Sequence, residues 1–251
     1  MIFGIELWRI TLIVVLIFLV VQRANLVAVA AKAQYRKEDY EGARKLLRIA
    51  DKVGNLNTNN KLLLGYTCLR CGRLEEARVQ FNLAMNLFPR DSAERNRVRN
   101  LLSLVSWKEG NLTDAIEILE DVMASGYCTT QIYQNLGIFY NLTEDKEKAL
   151  TFNQEAYAYN EDDAIICDNL ADAYASCGEY QKAAEVYEQL MARPIKPDFP
   201  EAYYGYGKVL IALGKKEEGV SMIGQSLTKP FSYLSICSRE EVQALYQQYT
   251  D

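Results

Sequence analysis

Residues 61–89 read KLLLGYTCLRCGRLEEARVQFNLAMNLFP. A first apolar run holds Leu64-Gly65 and Cys68 and stops at Gly72; a second opens on Leu74-Glu75-Glu76-Ala77, continues through Phe81 and Ala84, and ends at Pro89. In each run the apolar and small residues recur three or four apart, so they line one face of a helix. Gly72 is placed for a tight turn, and Pro89 cannot prolong a helix. The stretch therefore predicts two helices packed back to back.

The same pattern returns along the chain. Segments equivalent to Leu74–Ala77 end at Ala43, Ala77, Ala115, Ala149, Ala183 and Gly219, with spacings of 34, 38, 34, 34 and 36 residues. Around Ala149 stand Tyr133, Leu136-Gly137, Tyr140 and Ala156; around Ala183 stand Leu170-Ala171, Tyr174, Gly178 and Tyr187. In this period and these offsets the chain resembles the tetratricopeptide repeat family, whose unit is a helix-turn-helix that buries its apolar faces only when neighbours stack. The resemblance covers about residues 24–231. It implies an all-α superhelix of about six units, whose small residues Gly65, Gly137, Ala171 and Gly207 let paired helices approach.

Some units depart from the pattern. The first, about Ala24–Asn55, lacks the aromatic and the Leu-Gly pair. The third has Ser103 and Ser106 where glycine and tyrosine are usual, and the sixth has Gly219 for alanine, as end units often vary. The longer spacing after Ala77 places a longer loop or a helical extension around Arg90–Asn96. Ser238, with Glu241 three residues on, reads as the capping box of a solvating end helix. The expected organisation is a membrane anchor over 1–23, a repeat domain over 24–236 and a C-terminal capping helix over 237–251.

Composition narrows the chemistry. With 49% hydrophobic and 24% charged residues, 5 prolines and 14 glycines, the 251-residue chain reads as folded and helical. It has no histidine, which removes serine-histidine and cysteine-histidine nucleophile systems and the commonest metal ligand. Cys68 and Cys71 have no second pair at ligand spacing, and Cys71 and Cys177 both precede a turn glycine, so the six cysteines read as structural and no metal or cofactor is expected. Residues 1–125 carry +4 and residues 126–251 carry −9, which speaks against nucleic acid as a partner. Asn111 and Asn141 match a glycosylation pattern but fall in inter-helix turns. Asp162, Asp163, Asp168 and Asp172 lack the spacing of a calcium loop and read as helix caps and surface charge.

Ile10–Val21 is apolar except for Thr11, and the run extends back to Ile2 if Glu6 and Arg9 pair at its end beside Trp8. This is the expected anchor. The rival reading is a cleaved export signal with small residues at Ala28 and Ala30, followed by action in envelope or surface assembly; Glu6 and Arg23 oppose it. Arg23, Lys32, Arg36 and Lys37 follow the span, which orients the repeat domain toward the cytoplasm.

In the tetratricopeptide family, first-helix residues opposite the buried stripe line a concave groove that binds proteins. Register transfers that role to Tyr66, Leu69 and Arg70 in the second unit. In the third it falls on Arg97, Asn100, Leu104, Trp107 and Lys108, and in the fourth on Gln134 and Ile138. Members that clamp a chaperone carboxylate carry lysine and asparagine at positions held here by Leu62 and Tyr66, Asn100 and Leu104, and Gln134 and Ile138, so that clamp is not reproduced. The expected function is a non-enzymatic, membrane-anchored scaffold for a protein or peptide with acidic and apolar residues.

Overall fold

Thirteen α-helices and no strand make up the residues that the computed structural model describes, 7–54 and 56–250. They are α1 (Leu7–Arg36), α2 (Tyr40–Val53), α3 (Thr58–Arg70), α4 (Leu74–Met85), α5 (Ala93–Lys108), α6 (Leu112–Ala124) and α7 (Thr130–Asn141). Then follow α8 (Lys146–Tyr159), α9 (Ala164–Ser176), α10 (Tyr180–Ala192), α11 (Pro200–Ala212), α12 (Lys216–Ser226) and α13 (Arg239–Thr250). The expected all-α repeat architecture is present, with the first helices of the repeats at α1, α3, α5, α7, α9 and α11. The chain forms two compact units, one ending at Leu101 and the other starting at Leu102.

In the N-terminal unit α1 packs on α2, α2 on α3 and α3 on α4. Helix α1 serves two regions of sequence. Ala24, Ala28 and Ala31, spaced four and three apart, are buried where α2 approaches, whereas the apolar side chains from Ile10 to Phe18 are exposed. The helix bends by 55° where Trp8–Phe18 meets Val20–Arg36. The start of the Ile2–Val21 span, the Glu6 half of the Glu6–Arg9 pair, and Asn55 at the end of the first repeat lie outside the described residues. Asp39 caps α2, its carboxylate accepting the Gly42 N–H at 2.8 Å.

The turns repeat one device. After α3 the Gly72 N–H bonds to the Leu69 carbonyl and the Arg73 N–H to the Cys68 carbonyl; after α9 Gly178 bonds to Ala175 and Glu179 to Tyr174. This closure needs a left-handed residue, and Gly72 and Gly178 have φ of 69° and 78°. Cys71 and Cys177 are the helix C-caps just before these glycines. Cys68 is fully buried, and burial pushes its thiol up to about 12, so its surroundings are those of core.

In the C-terminal unit α7 packs on α8, α9 on α10 and α11 on α12, while α9 also packs on α7 and α11. Gly65 in the N-terminal unit and Gly207 in the C-terminal unit each mark a close helix approach. A Cβ on Gly65 would lie 2.6 Å from the Phe81 ring, and one on Gly207 would lie 2.7 Å from the Gly219 carbonyl oxygen. The long spacing before the third repeat resolves into an extension of α5, which begins at Ala93 and runs 16 residues against 13 in α3. Ser238 starts α13 as expected, its hydroxyl accepting the Glu241 N–H at 3.0 Å. The Glu241 carboxylate does not turn back onto that cap; it accepts the Tyr204 hydroxyl at 3.2 Å, because α13 packs on α12 with Tyr204 and Val242 in one core cluster.

Candidate binding surface

The first helices of the repeats supply the candidate surface, and each compact unit holds its own part. In the N-terminal unit Tyr66 and Arg70 stand one turn apart on α3, and the Arg70 Nη1 donates to the Tyr66 hydroxyl at 3.4 Å. The guanidinium lies 4.1 Å from the Tyr40 ring centre, and Tyr35 meets Tyr40 at 5.6 Å and Tyr66 at 6.2 Å. Tyr40 and Tyr66 thus hold one arginine, with Tyr35 packed on both rings, in a half-buried cluster in which burial raises the Tyr35 and Tyr40 hydroxyl pKa values. Arg97 is exposed.

Leu69 and Asn100 are corrections. Leu69 is 0% exposed and Asn100 8%, so neither offers its side chain to a partner.

In the C-terminal unit Leu104 is buried as well and belongs to the core rather than to the surface. Trp107 is half-buried, its ring 5.6 Å from that of the fully buried Phe139 on α7. Ile138 is half-buried. Gln134 donates its Nε2 to the Asp163 carboxylate at 2.8 Å, while the other oxygen of that carboxylate caps α9 by accepting the Ile165 and Ile166 N–H groups. Asp163 is the helix cap that the sequence suggests. Asn141, expected in a turn, is the last residue of α7, and its side-chain amide donates to the Asn169 carbonyl at 2.8 Å.

Two groups of residues make contacts that the sequence does not reveal. Lys108 Nζ lies 3.8 Å from the Trp107 ring centre and donates to the Ser235 carbonyl at 3.1 Å. Glu201 Oε1 accepts the Ile236 N–H at 3.0 Å. Ser235 C=O and Ile236 N–H are the two edges of one peptide bond, so a residue at the end of α5 and one at the start of α11 grip that bond from opposite sides. Burial lowers the Lys108 ammonium pKa, and Glu201 opposes the shift. Register alone names Lys108 but cannot show what it grips.

The second group is Asp168, Asp172 and Tyr187, and it overturns the surface-charge reading of the two aspartates. Asp168 is 3% exposed, and the Tyr187 hydroxyl lies 3.1 Å from Asp168 Oδ1 and 2.9 Å from Asp172 Oδ1. One phenol has a single hydrogen to donate between two carboxyl groups. Burial first, then Asp172 and Glu201, push the Asp168 carboxyl well above the usual carboxylate range; burial raises Asp172 too, against the pull of Lys208.

Comparison with known proteins gives the fold a name. The tetratricopeptide repeat family model matches residues 166–201, which span α9, α10 and the start of α11. No curated protein sequence matches the chain significantly. Among solved structures, a tetratricopeptide repeat protein from Parabacteroides merdae aligns with TM-score 0.75 and 14% identity over 92% of this chain and 85% of its own. TTC0263, a thermophilic TPR protein of Thermus thermophilus, aligns with TM-score 0.61 and 21% identity over 77% of this chain and 98% of its own. PilW, a type IV pilus biogenesis factor, aligns with TM-score 0.65 and 18% identity over 89% and 98%. At such identities the likeness speaks for the fold alone. A matched repeat, glycine-closed turns after α3 and α9, and helix stacking like that of these structures give the chain the tetratricopeptide repeat fold.

Proposed function

We propose that the chain is a non-enzymatic scaffold, tethered to a membrane by the first part of α1, that binds a partner protein or peptide on the first-helix face of its repeats in the cytoplasm. The observation that carries the tether is exposure. The consecutive residues Leu12, Ile13, Val14, Val15, Leu16, Ile17 and Phe18 are 46–59% exposed, and consecutive positions point around the whole circumference of a helix, so no described part of the chain covers them. Lipid is the environment that satisfies such a surface. No single helix among the described residues is long and apolar enough to cross a membrane, but Trp8–Phe18 and Val20–Arg36 pass that test together. Arg23, Lys32, Arg36 and Lys37 after the apolar run support the cytoplasmic orientation.

Leu16→Arg tests the tether. A charge at mid-span costs about 2.5–3.5 kcal/mol on insertion scales, so the variant is expected in the soluble fraction while the wild type sediments with membranes. Wild-type protein found soluble with its N-terminus intact would end the proposal. For the partner, Arg70 and Arg97 in the N-terminal unit favour acidic residues, and Trp107 in the C-terminal unit favours apolar ones. Arg97→Ala is expected to weaken a captured partner by about 1–3 kcal/mol at constant helix content; unchanged affinity would remove Arg97 from the surface.

A further inference from the structure

The twelve residues between α12 and α13, Leu227–Ser238, form no helix, whereas the connections that lead from one repeat to the next in this unit, Ser125–Thr129, Asn160–Asp163 and Arg193–Phe199, have about five, four and seven residues. Loops of that length with no secondary structure are uncommon and often functional. Pro230–Ser238 is also free of charged residues in a chain that is 24% charged.

The segment is tied down at its ends and gripped in the middle. Arg239 donates to the Leu227 and Lys229 carbonyls and lies 4.6 Å from the Phe231 ring. Ser232–Ser235 closes as a turn, the Ser235 N–H reaching the Ser232 carbonyl at 3.0 Å. The peptide that follows this turn is the one held by Lys108 and Glu201, and Lys108 sits between the Trp107 ring at 3.8 Å and the Tyr233 ring at 5.7 Å.

Three features mark this as a ligand-like contact. The grip is on main-chain atoms, which any peptide can offer. Tyr233 and Ile236 remain 41% and 39% exposed, so these two side chains are only partly taken up by the fold, whereas Phe231 packs on the cluster of Tyr204, Ile223, Cys237 and Val242. Lys108 and Glu201 come from the first-helix face, the surface on which the scaffold reading places its partner.

We infer that Phe231–Ile236 is an internal ligand, and that the slot between Lys108, Trp107 and Glu201 accepts in its place an uncharged, aromatic-bearing peptide segment of a partner protein, held by its main chain. The inference rests on the scaffold reading and adds the chemistry of the bound segment and a built-in competitor. The partner must displace Phe231–Ile236, and so binds more weakly to the intact chain than to the bare slot.

The test uses the full chain with Phe231–Ile236 replaced by a glycine-serine segment of equal length, in a Trp8→Phe background. Trp107 is then the only tryptophan and reports on the slot. A synthetic peptide with the sequence of Lys229–Ser238, which contains no tryptophan, is titrated against this variant and against Trp8→Phe alone. The expected result is saturable change in Trp107 emission in the glycine-serine variant, at least 10-fold weaker response in the chain with its own segment, and loss of the response on adding Lys108→Ala and Glu201→Ala. If the glycine-serine variant keeps its helix content and the peptide produces no response up to millimolar concentration, the segment is a structural strap and the inference falls. That outcome leaves the scaffold reading standing, because membrane fractionation and the Arg97→Ala affinity judge it separately.

Discussion

Position 219 carries glycine where the other five repeats carry alanine. A Cβ there would lie 2.6 Å from the Gly207 carbonyl oxygen and 2.7 Å from Ile211 Cγ1, and a backbone oxygen cannot move aside as a flexible side chain can. Restoring the repeat's usual residue, Gly219→Ala, gains about 1 kcal/mol of helix propensity. Overpacking costs about 1–3 kcal/mol, and with backbone on both sides the net is expected to be destabilising. Denaturant unfolding decides it, and a higher midpoint for the variant would show that α11 and α12 can separate at no cost. The sequence marks position 219 as unusual and suggests the wrong cause, since an end-unit variation and a close helix crossing look alike until the opposing helix is placed. Asp168 and Asp172 were illegible for a similar reason. One turn apart on α9, they read as a solvated face, and only Tyr187 from α10 and the neighbouring α11 reveal that Asp168 is buried and Asp172 half-buried. Because their carboxyl pKa values are raised in the fold, the protonated forms contribute stability that is complete below the ordinary value near 4 and is lost as pH rises through the raised values. Glu41, which a hydrogen bond from Arg44 holds down to about 2, has the opposite sign and loses its contribution as pH falls below about 4.5. No histidine titrates between these ranges. Melting at pH 5 is therefore expected above melting at pH 7, and Asp168→Asn, which keeps an acceptor for Tyr187 beside Asp172, Glu201 and Lys208, is expected to flatten the difference. A wild-type melting temperature that rises steadily from pH 5 to 7 would contradict the sign.

Among the helices, α1 differs most from its sequence reading. A boundary at residue 23 separates an apolar run from a repeat, yet one helix carries both, and composition changes there without any residue that stops a helix. What fixes the repeat portion is the alanine stripe of Ala24, Ala28 and Ala31 under α2. Ala28→Leu would place a branched side chain in a contact with no room for it, at about 1–3 kcal/mol. Because repeats depend chiefly on their neighbours, the loss of protection is expected across residues 24–53, with α9 and α10 unaffected in hydrogen exchange. Unaltered exchange in α2 would mean that the α1–α2 contact is not closely packed. The turns, by contrast, were read correctly because Gly72 and Gly178 announce a left-handed residue in one letter. A groove lining was harder, since the flank positions of a helix, such as Leu69 and Leu104, face partner or core according to how closely the next helix lies.

For the molecule as a whole, the division at Leu101 and Leu102 makes the two substitutions independent. The free-energy effects of Ala28→Leu and Gly219→Ala are expected to add to within about 0.5 kcal/mol in the double variant. A larger discrepancy in equilibrium unfolding would show that the two sites are energetically coupled. Within the C-terminal unit a mechanical consequence follows from the grip on a single peptide bond. A stack of repeats fastened only to its neighbours behaves like a leaf spring, each interface yielding slightly and the small rotations summing along its length. Here Lys108, toward one end of the stack, and Glu201, toward the other, pull on the Ser235 carbonyl and the Ile236 N–H. The two bonds act as a bowstring tied across the repeats between α5 and α11, and releasing it is expected to leave the curvature of the stack to the repeat interfaces alone.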